Sequence, residues 1–400
     1  GRQGEDFMNP VTTPEKQTQA TTQRQNPLLE LQKLGQSVWL DYIRRDLITS
    51  GELRRLIDND GLRGMTSNPS IFEKAIVGSN DYAGMLDQLI AQGLSAGDIF
   101  ERIAVRDIQD AADILFPVYQ STNKRDGYVS LEVSPTLARD TQGSIDEARR
   151  LWKTVKRPNI MIKIPGTPEG VPAVRQLTGE GLNINITLLF AQEAYVAVAE
   201  AFMDGLEAAL KSGKDISGIA SVASFFVSRI DTLVDSTIDA ELKNPGSPEQ
   251  EQLLRSLHGK VAIANAKQAY RSYQQMIAGS RWRALAGRSA QSQRLLWAST
   301  STKNPKYRDV LYLEELIGPE TVNTVPPATM DAFRDHGIVR RTLDSDVAAA
   351  DKTMSDLEKA GISMKKVTDQ LLDEAIKLFD DAFNKLIAAV DQKKEQKKNS

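Results

Sequence analysis

Eight short apolar runs, each separated from the next by amphipathic sequence, restrict the fold of this chain more than any other feature. They begin near Val38 (VWLD), Leu62 (LRGMT), Tyr128 (YVSLEV), Ile160 (IMIKI), Asn183 (NINITLL), Ile219 (IASVAS), Leu295 (LLWAS) and Thr321 (TVNTV). Runs this short have the length of strands. Most are followed by a turn residue and a pattern of helical period, clearest over Ser144 to Val155, Gln192 to Lys211 and Phe226 to Leu242. Strands that alternate with helices build parallel sheets, and eight such units predict closure into an α/β, (β/α)8 TIM barrel. Two gaps are longer than one helix requires, Asn68 to Asp126 and Ser228 to Gln293, and are expected to carry extra helices outside the barrel. Two more amphipathic helices from Arg341 are expected to cover it.

One domain over residues 26–390 accounts for all of these runs. The Thr/Gln-rich stretch 1–25 is too polar to pack, and GRQGEDF ahead of Met8 reads as an expression remnant. Residues 391–400, with QKKEQKKNS, are expected to form a disordered basic tail.

Composition narrows the chemistry. With no cysteine and only His258 and His336 as imidazoles, thiol nucleophiles, Fe–S clusters and multi-histidine metal sites drop out, so no metal is expected. Proton transfer near neutral pH then falls to Asp, Glu, Lys or Tyr with displaced pKa values. His258, in a charged insertion, and His336, before a glycine, read as a surface residue and a helix-end residue. Lys+Arg 50 against Asp+Glu 53 leaves a net charge of -3, which argues against nucleic acid as a partner. No apolar stretch is long enough for a membrane span and no secretory leader is visible, so a soluble cytoplasmic protein is expected.

In a barrel of this kind the reactive groups sit where strands end. Side chains alternate between the two faces of a strand, and the apolar face meets the outer helices. In YVSLEV this turns Ser130 and Glu132 inward; in IMIKI it turns Lys163 inward beside Met161; in NINITLL it turns Asn183, Asn185 and Thr187 inward. The first run adds Asp41, and the second ends in TSNPS, with Asn68 opening a Pro-initiated turn. An isolated strand-end lysine is ordinarily a solvated side chain, and a lone inward carboxylate a partner for backbone or Arg. Several strands placing such groups inward at similar depth is a different matter. One lysine with two carboxylates, and no glycine-rich dinucleotide loop, points to amine chemistry on a carbonyl: a Schiff base. An amine attacks only when unprotonated, and burial disfavours an ammonium. Glu132 and Asp41 can then divide the proton transfers that imine formation and carbon–carbon cleavage require.

The segments MTSNPSIF, VSLEVSP with a following RDT, IMIKIPGT, INITLLF, SVASFFVSRID and LWASTSTKNP occur in that order over roughly Asn26 to Asp380. Together they resemble the transaldolase family, and within it the longer bacterial branch. The resemblance implies a (β/α)8 barrel whose imine-forming lysine lies on the fourth strand, where the count of apolar runs also puts Lys163. It further implies that Asp41 is the base acting on the substrate hydroxyl, that Glu132 is an acid/base working through a water, and that Thr187 holds that water. Asn68, Asn185 and Ser224 would hydrogen-bond a dihydroxyacetone unit, and Arg229 would meet phosphate.

The implied activity needs no cofactor. It is transfer of a dihydroxyacetone unit between sugar phosphates in the non-oxidative pentose phosphate branch: sedoheptulose 7-phosphate and glyceraldehyde 3-phosphate give erythrose 4-phosphate and fructose 6-phosphate. A monomer and a homodimer are both open. The shorter branch carries an arginine soon after the serine that matches Ser299, where this chain continues TSTKNP; Lys303 is the substitute cation expected here. The competing role for Arg229 is an ion pair within its own helix, with Asp235 better placed than Asp231. Two rival functions remain, a related fructose-6-phosphate aldolase that releases free dihydroxyacetone and a non-catalytic sugar-phosphate-binding barrel. The joint presence of Asp41, Glu132, Lys163 and Thr187 disfavours the latter.

Overall fold

A computed structural model describes residues 25–400. The eight strands are β1 (Gln36–Asp41), β2 (Gly64–Thr66), β3 (Tyr128–Glu132), β4 (Ile160–Pro165), β5 (Ile184–Leu189), β6 (Ser221–Phe226), β7 (Arg294–Ala298) and β8 (Thr321–Val325). Each pairs in parallel with its sequence neighbour, and β8 closes on β1, so the sheet is a closed barrel in chain order. Every apolar run of the sequence supplies one strand. The sixth begins two residues later than its run and keeps Phe226, which the sequence pattern assigned to the helix; that helix spans Ser228–Glu241.

The long gaps hold extra helices as expected: Pro69–Val77, Ala83–Ala91 and Ala96–Ser121 in the first, and Pro248–Ser256, Val261–Ile277 and Ser280–Ala286 in the second. After β8 come Pro327–His336, Val347–Lys359 and a long C-terminal helix, Met364–Lys398. This helix packs on Pro69–Val77 and lies over the mouth of the barrel, with Leu371, Phe379, Leu386 and Val390 buried. The basic end does not fray at Asp391 as the sequence suggested, for the helix continues to Lys398 and Lys397 pairs with Asp87 at 2.7 Å. Lys, Glu and Gln are good helix formers, and cations in a last turn complement the helix dipole. The tail assigned to 1–25 falls, apart from Gln25, outside the described residues. Among the described residues no helix is long and apolar enough to cross a membrane.

The N-terminal end of the barrel is plugged. Asp126, just before β3, accepts hydrogen bonds from Ser37 Oγ (2.8 Å), Trp39 Nε1 (3.0 Å) and Arg294 Nη2 (3.0 Å). Gly64 makes room for this arrangement, because a Cβ there would lie 2.5 Å from the Trp39 ring. Burial alone would raise the Asp126 pKa, but Arg294, Trp39 and Ser37 together bring it below the usual carboxylate value. The bottom is thus a packed floor, leaving the strand C-termini as the open end.

Candidate active site

Parallel register fixes which side chains stand level at the mouth. Glu132 on β3 pairs with Lys163 on β4, and Lys163 pairs with Asn185 on β5, so the three share the inner face at one height. Lys163 is 5% exposed and its Nζ donates to the Ser67 carbonyl at 2.9 Å. Asp41 ends β1 opposite Thr66, whose Oγ1 donates to Asp41 Oδ1 at 2.8 Å and lies 2.7 Å from Thr324 Oγ1.

The two carboxylates differ from the one in the floor. Burial raises the pKa of Asp41, opposed by Lys163, the Thr66 hydrogen bond and the more distant Arg229 and Lys303. Glu132 is pushed up to about 7, first by burial, with Lys163 opposing and Asp41 adding to the rise. Both Glu132 oxygens and Thr187 Oγ1 are buried without a hydrogen-bond partner among the described residues. A carboxyl poised near neutrality beside a lysine suits an acid/base.

A cavity of about 600 Å3 opens above Lys163. It brings together eight of the ten residues singled out by sequence: Asp41, Asn68, Lys163, Thr187, Ser224, Arg229, Ser299 and Lys303. Asn185 lies beneath it, fully buried, donating from Nδ2 to Ser130 Oγ (3.1 Å) and accepting from Ser224 Oγ (2.6 Å). Glu132 lines a smaller adjoining space of about 260 Å3, walled by Phe72, Phe100 and Phe383. Asn68 has a structural duty as well: its Oδ1 caps the helix Pro69–Val77 at Ile71 N–H (2.9 Å), which leaves its Nδ2 as a donor.

Arg229 opens the helix after β6 and lies over the Phe226 ring at 5.5 Å. The helix-internal ion pair does not form. Asp231 accepts from Tyr312 Oη and Ala262 N–H, and Asp235 from Tyr307 Oη and Gly259 N–H. Burial, opposed by Asp41 and Glu374, lowers the affinity of the Arg229 guanidinium for its proton, though an arginine remains charged. Ser299 Oγ sits 2.8 Å from Ser228 Oγ, and Lys303 Nζ donates to Ser301 Oγ at 3.0 Å on the cavity rim. His258 bonds Asp239, and His336, closing the helix Pro327–His336, bonds Asp309 and Asp335; neither lines the cavity. Among the described residues no cluster of His, Asp or Glu has the makings of a metal site.

Sequence reasoning missed Thr66, which holds Asp41, Thr324, which bonds Thr66 in turn, and the roof that Phe379, Asp381 and Lys385 of the C-terminal helix add. Alternation in TVNTV does not find Thr324, which shares its face with Val322 while Thr321 and Asn323 share the other; only the pairing of Thr324 with Trp39 on β1 shows that it faces inward. The roof leaves no local signal, since it depends on where a helix more than two hundred residues after Lys163 comes to rest.

A closed (β/α)8 barrel with a lysine, carboxylates and an arginine converging on its C-terminal mouth defines a barrel enzyme whose chemistry lies in its strand ends and loops. The family model described as transaldolase/fructose-6-phosphate aldolase matches residues 38–390. A transaldolase from Trichodesmium erythraeum (strain IMS101) is 48% identical over 370 residues, covering 92% of this chain and 97% of the relative. Transaldolase 2 from Nostoc punctiforme is 50% identical over 371 residues, with the same coverage of both chains, and the transaldolase of Thiobacillus denitrificans is 45% identical over 361 residues, 90% of this chain and 98% of the relative. The chain belongs to the transaldolase family.

Proposed function

We propose that this chain is a transaldolase, a transferase that moves a dihydroxyacetone unit from a ketose phosphate to an aldose phosphate through an imine on Lys163. The observation that carries the proposal is the level placement of Glu132 and Lys163 on neighbouring strands, with Asp41 at the same mouth.

In the forward direction Lys163 Nζ attacks the ketose C2 carbonyl and the carbinolamine loses its hydroxyl as water, with Glu132 supplying the proton through a water held by Thr187. Asp41 takes the proton from the C4 hydroxyl. The C3–C4 bond breaks, its electrons pass into the imine to give an enamine, and the aldose leaves. The acceptor aldehyde then takes those electrons at its carbonyl carbon, its oxygen regains a proton, and hydrolysis of the new imine returns Lys163. Asn68, Asn185 and Ser224 hold the three-carbon unit, while Arg229 with Ser299 and Lys303 binds the phosphate of donor and acceptor in turn. Sedoheptulose 7-phosphate and glyceraldehyde 3-phosphate are the expected pair, and the protein is expected to act in the cytoplasm.

Transfer is favoured over release by the sixth strand. The related aldolases are expected to have a tyrosine there; this chain has Ser224 to Phe226, and Phe226 lines the cavity without a hydroxyl to offer. Fructose 6-phosphate supplied alone should yield little free dihydroxyacetone, and added erythrose 4-phosphate should start rapid formation of sedoheptulose 7-phosphate. Abundant dihydroxyacetone without an acceptor would place the chain with the aldolases.

A further inference from the structure

Strict alternation along β5 turns Thr187 inward and Leu188 outward, and would bring Leu189 inward into the mouth. The strand departs from this. Ile186 pairs with Ala223 and Leu189 with Phe225, so three steps on β5 match two on β6, and Thr187 and Leu188 together face Ser224. This is a bulge, made by a left-handed Leu188 with φ +60°. Leu189 is thereby turned out of the cavity onto Gly166, where a Cβ would lie 2.2 Å from Leu189 Cδ2. The Thr187 carbonyl accepts from Gly166 N–H at 2.7 Å, which ties the bulged backbone to β4.

Left-handed leucine is disfavoured because Cβ crowds the carbonyl oxygen. Among the described residues seven others without a glycine's freedom have positive φ: Asn123, Lys124, Lys156, Ser289, Ser299, Glu320 and Asp346. All seven are polar or charged and at least partly exposed; Leu188 alone is apolar and buried. Its side chain lines a groove on the barrel rim with Val171 and Phe190, and not the cavity that contains Lys163. An unfavourable backbone at that place, with a side chain pointing elsewhere, marks a position whose conformation serves its neighbour.

We propose that Leu188 is a positioning residue, whose left-handed bulge sets the aim of Thr187 Oγ1 toward the inner wall of the site. The proposal rests on the role given above to Thr187 as holder of the water shared with Glu132. Leu188 touches no substrate and acts only through the backbone.

Three substitutions test it, read by thermal melting, by kcat and KM for fructose 6-phosphate with erythrose 4-phosphate, and by the rate of borohydride-trapped imine formation. Glycine and alanine remove nearly the same packing but differ in tolerance of positive φ. Leu188→Gly should therefore keep kcat within about threefold of the parent, and Leu188→Ala should fall below it in both melting temperature and kcat. Leu188→Val, whose branched Cβ resists this conformation, should lower kcat and the trapping rate by about tenfold or more while KM moves less than about threefold. In a Thr187→Val background Leu188→Val should then add little, since both changes disable one group.

An alanine variant as good as or better than the glycine variant in both readouts would reduce Leu188 to a packing residue and overturn the proposal; this holds even if the valine variant does not fold. Full additivity on Thr187→Val would overturn it as well. If Thr187→Val alone leaves the trapping rate unchanged, it is the role of Thr187 that has failed, and the proposal falls with it. Slow trapping in Thr187→Val beside parental trapping in Leu188→Val removes the proposal alone.

Discussion

The two ends of this barrel treat buried carboxylates in opposite ways. At the floor, Asp126 receives Ser37, Trp39 and Arg294 and its pKa falls despite complete burial. At the mouth, the Glu132 carboxyl is also buried, but both its oxygens lack a partner among the described residues, and its pKa climbs to about 7. Desolvation acts on both and partners decide the sign. The Asp126 carboxylate is answered on both oxygens, whereas at the mouth the Glu132 carboxyl and Thr187 Oγ1 have no hydrogen-bond partner, and Arg229 no ion pair, among the described residues.

That contrast is most easily broken from the floor. Asp126→Ala would leave Arg294 buried without its carboxylate, and losing one member of a buried pair costs about 3–5 kcal/mol. Denaturant titration should show the loss, while activity per folded molecule, measured well below the unfolding midpoint, should stay near that of the parent. An activity loss without a stability loss would mean the two ends are not separate in function.

Arg229→Ala removes the cation that the mouth holds in reserve. A charge-assisted hydrogen bond contributes about 1.5–3 kcal/mol, so kcat/KM for phosphorylated sugars should fall roughly ten- to a hundredfold. The slow reaction with unphosphorylated fructose should be nearly unaffected. Parallel loss of both reactions would make Arg229 a structural residue. Lys303→Ala should show the same selectivity more weakly, below about tenfold, because its ammonium is exposed on the rim and held there by the Ser301 hydroxyl.

Stability against pH sharpens the comparison further. Glu132 titrates at about 7 in the fold against an ordinary 4.5, so between these values the folded state holds the proton that the unfolded chain gives up. This contribution therefore declines as pH rises from about 4.5 to 7 and stays low above that. Glu132→Gln should be near parental stability at pH 5 and more stable than the parent at pH 8, by about 1–3 kcal/mol. Asp126 has the opposite sign, its stabilisation being present above the ordinary carboxylate pKa and lost as pH falls through the lowered one. Urea midpoints of parent and variant at the two pH values measure the difference, and a variant that gains nothing at pH 8 would contradict the raised pKa.

The mouth was the more legible of the two ends. Period-two alternation alone places Glu132, Lys163, Asn185 and Thr187 inward, because the apolar residues between them are needed by the outer helices. The floor is invisible to that reasoning: Asp126 and Arg294 meet across 168 residues of chain, and an Arg before an apolar run reads as ordinary solvation. The bulge at Leu188 was hidden for a different cause, since NINITLL alternates cleanly and only the pairing with β6 exposes the extra residue. Asn183, placed inward by the same pattern, precedes the strand and spends its amide on Pro158 and Ile160 carbonyls and on Ala220 N–H. Alternation gives direction and says nothing of depth, which is set by register.

The central claim is that Lys163 is the nucleophile. Borohydride reduction in the presence of fructose 6-phosphate, followed by peptide mass spectrometry, tests it directly. The expected result is a single adduct of dihydroxyacetone mass on the peptide containing IMIKIPGT, absent from Lys163→Ala, which should also lack activity. An adduct on another lysine, or full activity in Lys163→Ala, would contradict it.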